Sequence, residues 1–127
     1  MNGIKSGKWT SFYPTGERYA EGKYSDNTFT GTWKVYFPNG NLKQVGKYES
    51  GLAEGEWTFY YESGMVKNVG SYIKDKKTGL WKTYYETGEL MSEITFREGL
   101  RNGWAYGYRK DGKLAEKTFY NMGETIE

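Results

Sequence analysis

The chain contains no cysteine and no histidine. Disulfides and thiolate metal sites are therefore excluded, and so are the usual general base near neutral pH and the commonest metal ligand. The absence of cysteine fits a reducing compartment, and the opening residues MNGIKSGKW have no apolar secretion-signal core. Both set the expectation of a cytoplasmic chain. No apolar run approaches the roughly 18 residues of a membrane-spanning helix. Proline occurs twice, at Pro14 and Pro38. The formal net charge of +2 makes no whole-chain demand for nucleic acid or an acidic membrane. Hydrophobic residues are 36% of the chain, a low share for a deep core.

What is abundant is aromatic and glycine residues. Aromatics make up 19%, with 13 Tyr and 5 Trp, and there are 18 Gly. Each large ring can bury roughly 150–250 Å² while one edge stays wet, which suits a thin structure. The glycines argue for many turns and against long helices.

The rings and glycines repeat. Gly55 to Gly64 reads GEWTFYYESG, Gly31 to Gly40 GTWKVYFPNG, Gly79 to Gly88 GLWKTYYETG and Gly7 to Gly16 GKWTSFYPTG, a step of 24 residues. A fixed period of this size predicts a stacked repeat array. The units run 7–30, 31–54, 55–78, 79–102 and 103–120, with 1–6 as a partial repeat or N-terminal cap and 121–127 as a C-terminal tail. In the fifth unit Trp104 falls one place early, Gly107 replaces an aromatic and Arg109 stands where Tyr85 stood. Terminal repeats are often atypical because they cap the stack.

Each unit divides into two strand-forming runs joined by a three-residue turn that ends in glycine, such as Glu62-Ser63-Gly64. That pattern predicts a type I turn with a glycine bulge. A polar linker of about six residues, such as Ser25 to Thr30, leads to the next unit. The predicted fold is all-β: an elongated, twisted antiparallel sheet of about five stacked hairpins, on the order of 45–50 Å long at the usual strand spacing. With Tyr61 opposite Met65, strand alternation places Trp57, Phe59, Tyr61 and Val69 on one face, and Tyr60, Val66, Gly70 and Tyr72 on the other. The expected arrangement turns the leucine-bearing face inward and makes a groove of the tryptophan face.

The sets Tyr24…Gly31-x-Trp33, Tyr48…Gly55-x-Trp57 and Tyr72…Gly79-x-Trp81, with turn glycines Gly40, Gly64 and Gly88, resemble MORN repeats, the membrane occupation and recognition nexus family. The paired aromatics Tyr36-Phe37, Tyr60-Tyr61 and Tyr84-Tyr85 are more like the bacterial variant repeat found in antitoxin-like proteins. The resemblance implies hairpins stacked into a sheet that acts as a scaffold, a protein-binding module or a lipid-associated module. It supplies no catalytic motif and no cofactor.

The candidate protein-binding surface is Trp33, Phe37, Trp57, Phe59, Tyr61, Trp81 and Tyr85, with Lys43 and Lys67; Tyr and Trp are enriched at interface hot spots. The competing reading of the Trp row is packing between repeats. An alternative basic edge gathers Lys74, Lys76, Lys77, Arg97, Arg101 and Arg109 for nucleic acid or anionic lipid, against a plain role in solubility and edge protection. Glu62 and Glu86 recur as repeat positions, which argues against a glycosidase pair. Asp26, Asp75 and Asp111 do not form a calcium loop. The expected function is a non-catalytic module that binds another protein, as an inhibitor or antitoxin-like protein. The free sheet edges also allow a homodimer.

Overall fold

The computed structural model describes residues 3–126. The strands are β1 (Gly7–Phe12), β2 (Arg18–Ser25), β3 (Thr28–Tyr36), β4 (Leu42–Glu49), β5 (Leu52–Tyr60), β6 (Val66–Ile73), β7 (Lys76–Tyr84), β8 (Leu90–Arg97), β9 (Leu100–Tyr108), β10 (Leu114–Asn121) and β11 (Glu124–Ile126). They form one open antiparallel sheet in which spatial order equals chain order. The accessible surface, 8323 Å², exceeds the about 6,900 Å² expected of a compact globule of this mass. That excess is the signature of a single layer.

Five hairpin turns follow the predicted chemistry. The Tyr61 N–H donates to the Met65 carbonyl at 2.8 Å, and the Gly64 N–H donates to Tyr61 at 2.9 Å. Gly64 has φ +98°, a left-handed value that a side chain would oppose. The same pair of bonds recurs at Tyr13, Phe37, Tyr85 and Arg109.

The six-residue linkers do not exist as loops. Two residues with positive φ, such as Asp26 (49°) and Asn27 (66°), make each connection, and the rest of the linker is strand. Two consecutive left-handed residues are the mark of a type I′ turn, whose twist matches the flanking strands. Lys74 and Glu98 adopt the same geometry at φ 46° and 50°. These turns are tied to the preceding unit. The N–H groups of Asn27, Gly51, Asp75, Gly99 and Gly123 donate to carbonyls 22 residues earlier, at 2.7–3.0 Å.

The predicted faces need correction. Tyr61 does lie opposite Met65, but Tyr60 pairs with Val66 and Phe59 with Asn68. Lys67 is an extra residue in β6, and one extra residue flips every side chain beyond it. Tyr19, Lys43, Met91 and Ala115 are the equivalent extras. Trp57 therefore pairs with Gly70, not Val69, and Gly70 and Tyr72 share the tryptophan face. Tyr60, Val66 and Val69 lie on the opposite face.

A second irregularity explains the Gly-x-Trp motif. Val45 pairs with Thr58 and Lys47 with Glu54, so Gly46 alone spans Gly55, Glu56 and Trp57. Gly55 takes φ +70° to make this bulge. The Trp57 indole then lies flat on Gly46, where a Cβ would fall 1.9 Å from the ring. The indole N–H donates to the Lys47 carbonyl at 3.2 Å. Trp33 on Gly22 and Trp81 on Gly70 repeat this seat. The core is this ladder: Trp33, Trp57 and Trp81 are 9%, 3% and 4% exposed. Tyr48 and Tyr72 fill the gaps edge-on, with ring centroids 5.0–6.4 Å from the tryptophans. The tryptophan face is thus the packed side of the sheet and not an empty groove.

Within residues 121–127, Glu124–Ile126 pair with Phe119–Asn121 as a short closing strand. Gly3 to Ser6 dock on the first inter-repeat turn through Lys5 and Asn27. Met1, Asn2 and Glu127 lie outside the described residues.

Candidate interaction surface

The expected surface residues divide into three groups. Trp33, Trp57 and Trp81 are sealed between repeats, which removes them from an exposed contact surface. Phe59 belongs with them, stacked on Trp57 at 6.1 Å. Phe37, Tyr61 and Tyr85 are half-buried in a row at the hairpin-turn end. The two tyrosine hydroxyls are committed: Tyr61 donates to the Tyr84 carbonyl at 2.6 Å, and Tyr85 donates to the Tyr108 carbonyl at 2.7 Å. Tyr13 does the same to Tyr36, and Phe37 has no hydroxyl for the equivalent link to Tyr60. Lys43 and Lys67, the extra residues of their strands, hold their ammonium groups 5.7 Å and 5.8 Å from the Phe37 and Tyr61 rings. This row works as a structural ladder between units.

The basic edge is not one edge. Arg109 sits at a hairpin turn, bonded to Lys113, while Lys74, Lys76 and Arg97 sit at the opposite ends of the strands. Lys77 lies over the rings of Trp81 and Phe96 at 4.8 Å and 5.0 Å. Arg101 lies over Tyr120 and donates to its hydroxyl. Lys77 and Arg101 thus lie over ladder rings on the tryptophan face.

The face opposite the tryptophans carries what the sequence reading missed. Residues directly opposite in the register share a face. One row crossing the sheet is Thr10, Glu21, Lys34, Val45, Thr58, Val69, Lys82, Glu93, Tyr106 and Lys117. Beside it runs a row of tyrosines: Tyr36, Tyr60, Tyr84 and Tyr108. At the flanks each tyrosine meets a carboxylate. Tyr36 donates to Glu21 at 2.5 Å, and Tyr108 donates to Glu93 at 2.8 Å. The Tyr36 bond holds the Glu21 carboxyl below its ordinary range. Burial, reinforced by Glu21, pushes Tyr36 up; the Glu93 bond pushes Tyr108 up.

In the two middle units the acid is replaced. Val45 stands beside Tyr60 and Val69 beside Tyr84, at the offset of 15 residues that separates Glu21 from Tyr36. Neither the Tyr60 nor the Tyr84 hydroxyl has a partner among the described residues. An open groove of about 580 Å³ lies here, lined by Thr58, Tyr60, Met65, Val66, Val69 and Tyr84. Met65 is 45% exposed. The centre of this face is thus apolar with two free hydroxyls, and its flanks are charged. The signal in the sequence was the series Glu21, Val45, Val69, Glu93, at one position per repeat.

A family profile described as "MORN repeat variant" matches residues 5–26, 29–50, 53–74 and 77–98. The chain belongs to the MORN repeat variant family. The four matched MORN windows follow the 24-residue step and together cover more than half of the chain. The fifth hairpin, β9 and β10, lies beyond them. None of the curated proteins matches the chain. Among solved structures, it is similar to part of a chain in "Crystal structure of GtfA/B complex bound to UDP and GlcNAc". The identity is 13% and the TM-score 0.32, over 81% of this chain and 20% of that one. The MORN chain thus spans about a fifth of that chain's length.

Among the described residues of this MORN sheet, no three His, Cys, Asp or Glu side chains converge as metal ligands would. Glu62 and Glu86 are exposed on neighbouring hairpin turns, about 10 Å apart by strand spacing. Two side chains of the preceding hairpin turn, Asn39 and Asn41, donate to the Glu62 carbonyl at 3.1 Å and 2.9 Å. The Glu62 backbone therefore works in turn-to-turn stacking.

Proposed function

We propose that this MORN sheet is a non-catalytic protein-binding module that docks its partner on the centre of the face opposite the tryptophans. One observation carries the reading: Tyr60 and Tyr84 keep free hydroxyls beside Val45 and Val69, where the flanking units spend the equivalent hydroxyls on carboxylates. An apolar patch with tyrosine at its middle and charge at its rim has the anatomy of a protein interface. The finer reading is an antitoxin-like inhibitor that restrains another protein in the cytoplasm, by the likeness of the paired aromatics to the bacterial variant repeat. The test is affinity capture from the native host with the wild-type chain and with Val45→Glu/Val69→Glu. A partner retained by the wild type and released by the variant supports the proposal. Equal capture by both moves the site elsewhere.

A second reading has its own observation. Lys8 and Lys23 are directly opposite each other, like charges on the same face. With Lys34 they line an open groove of about 340 Å³. Like charges so placed repel, and a polyanion such as nucleic acid would relieve them. Its binding would fall steeply with salt. Affinity for single- or double-stranded DNA that is absent at low salt, or indifferent to salt, removes this reading.

A further inference from the structure

The tyrosines opposite the tryptophans recur at a fixed spacing. Tyr36, Tyr60 and Tyr84 lie on β3, β5 and β7, always two strands apart, which at the usual strand spacing is about 9.6 Å. The strand between each pair forms the floor of a slot. Leu42 and Val45 of β4 floor the slot between Tyr36 and Tyr60. Val66 and Val69 of β6 floor the slot between Tyr60 and Tyr84, which is the open groove of about 580 Å³. The slots on either side carry charge. On β2, Arg18 lies over the Tyr36 ring and Glu21 accepts its hydroxyl. On β8, Glu93 accepts the Tyr108 hydroxyl. Two adjacent slots therefore have apolar floors, and the unpartnered hydroxyls of Tyr60 and Tyr84 belong to their walls.

We infer that the occupant of the docking face, on the reading proposed above, is a proline-rich segment of the partner in the polyproline II conformation. It lies across the strands with one proline in each slot. Polyproline II repeats every three residues, about 9.3 Å, so residues i and i+3 point the same way at the spacing of the slots. Other backbones miss that spacing. One or two turns of an α-helix advance about 5.4 or 10.8 Å, and its carbonyls are already bonded within the helix. Same-side residues of a β-strand come in steps of about 6.7 Å, and neither one step nor two match the slots. The carbonyls of polyproline II bond to nothing within the segment and are free to accept from the Tyr60 and Tyr84 hydroxyls. Charge agrees with this occupant. Both slot floors are aliphatic, and Lys34 and Lys82 at their margins stand opposite Glu21 and Glu93. A charged residue pressed onto either floor would go unpaired, whereas proline brings no charge. The preformed backbone also loses little entropy on docking.

The test uses the full chain and two uncharged synthetic peptides, with binding read by calorimetry. APPAPPAPPA repeats proline every third residue. APAPAPAPAP repeats it every second residue and can place proline in only one of two neighbouring slots. The expected result is saturable binding of the first peptide and about ten-fold weaker binding of the second, which leaves one slot without its ring. Val45→Glu/Val69→Glu, which puts an acid on each floor, should weaken the first peptide by at least about ten-fold. Tyr60→Phe/Tyr84→Phe, which keeps both rings, should weaken it by about five-fold through the lost hydroxyl donors. No saturable binding at millimolar peptide overturns the inference. Equal binding of the two peptides, or of the wild type and either variant, overturns it as well. The peptide comparison needs no protein variant, so it decides the matter even where a variant fails to fold. A wild-type dimer that Val45→Glu/Val69→Glu dissociates, seen by sedimentation, also overturns it, because a second copy then fills the slots. A host partner released by the valine variant while neither peptide binds would keep the docking face and remove the proline-rich occupant alone.

Discussion

Ile94 pairs directly with Ala105 across β8 and β9. Gly22, Gly46 and Gly70 hold the position of Ile94 in the earlier units, and Trp33, Trp57 and Trp81 hold that of Ala105. Where the seat gains a side chain, the indole that would strike it is gone. The fifth tryptophan, Trp104, moves one place along and so turns to the opposite face. There it pairs with Phe119 and carries Lys117 over its ring at 4.3 Å.

This exchange predicts a coupled pair. Gly46→Ile drives a Cβ to 1.9 Å from the Trp57 ring. It should destabilise the chain by about 3 kcal/mol, the upper range for overpacking. Trp57→Ala alone should cost a similar amount, about 3–5 kcal/mol. The double variant rebuilds the natural Ile94–Ala105 arrangement. Denaturant melts should show it more stable than the sum of the single losses, by about 1–2 kcal/mol. Additive losses would mean that the glycine is kept for some reason other than the ring.

The free tyrosines give a variant that should keep its fold and lose its surface. A carboxylate at positions 45 and 69 would stand to Tyr60 and Tyr84 as Glu21 stands to Tyr36 and Glu93 to Tyr108. Val45→Glu/Val69→Glu should therefore stay within about 1 kcal/mol of the wild type in urea melts, since each new acid finds a hydroxyl donor. A collapse of stability would assign the two valines to the core.

Phe37 is the missing rung in the row of hydroxyl-to-carbonyl links. Phe37→Tyr should add the bond to the Tyr60 carbonyl that Tyr13, Tyr61 and Tyr85 make to theirs. The expected gain is about 0.5–1.5 kcal/mol, and Tyr61→Phe should lose a similar amount. Thermal melts of the two variants should move in opposite directions. A neutral Phe37→Tyr would place its hydroxyl in water.

Ionisation should limit stability at alkaline pH. Burial raises Tyr48, Tyr72 and Tyr36, with Asp75 adding to the first, Tyr48 and Asp75 to the second and the Glu21 bond to the third. A raised pKa favours the protonated folded state, so this stability is complete below the ordinary tyrosine pKa of about 10. It is lost as pH rises through the higher folded values. Tyr48→Phe/Tyr72→Phe should flatten the alkaline limb of a stability–pH curve. Glu21 works in the other direction. Its pKa is lowered, first by the Tyr36 bond, so its contribution is present above the ordinary carboxylate range and fades as pH falls below about 4. Equal alkaline limbs for wild type and double variant would refute the tyrosine account.

The period, the strand count near ten and the glycine-closed turns could be read from the sequence, because each rests on a residue with a backbone reason to be there. Gly64 has to be left-handed, and Gly55 has to be as well. The faces could not be read, because Lys67, Lys43 and Met91 carry no mark of the bulge they form. A bulge near the right-handed region accepts any side chain. The inter-repeat turns were half visible. Asp26-Asn27 and Ser50-Gly51 are good type I′ pairs, but Lys74-Asp75 is held left-handed by its surroundings: Asp75 accepts the Ala53 N–H at 2.6 Å and Glu54 accepts that of Lys74 at 3.1 Å. The Tyr60–Val45 contrast stayed hidden because it spans two hairpins and needs the corrected register.

Spatial order that copies chain order has a consequence for how the molecule is made. Every pairing joins segments separated by a turn of two or three residues, so the entropy of closing each loop is small. A hairpin leaving the ribosome can zip onto its finished predecessor while later units are still being translated, and no strand has to wait for the far end of the polypeptide.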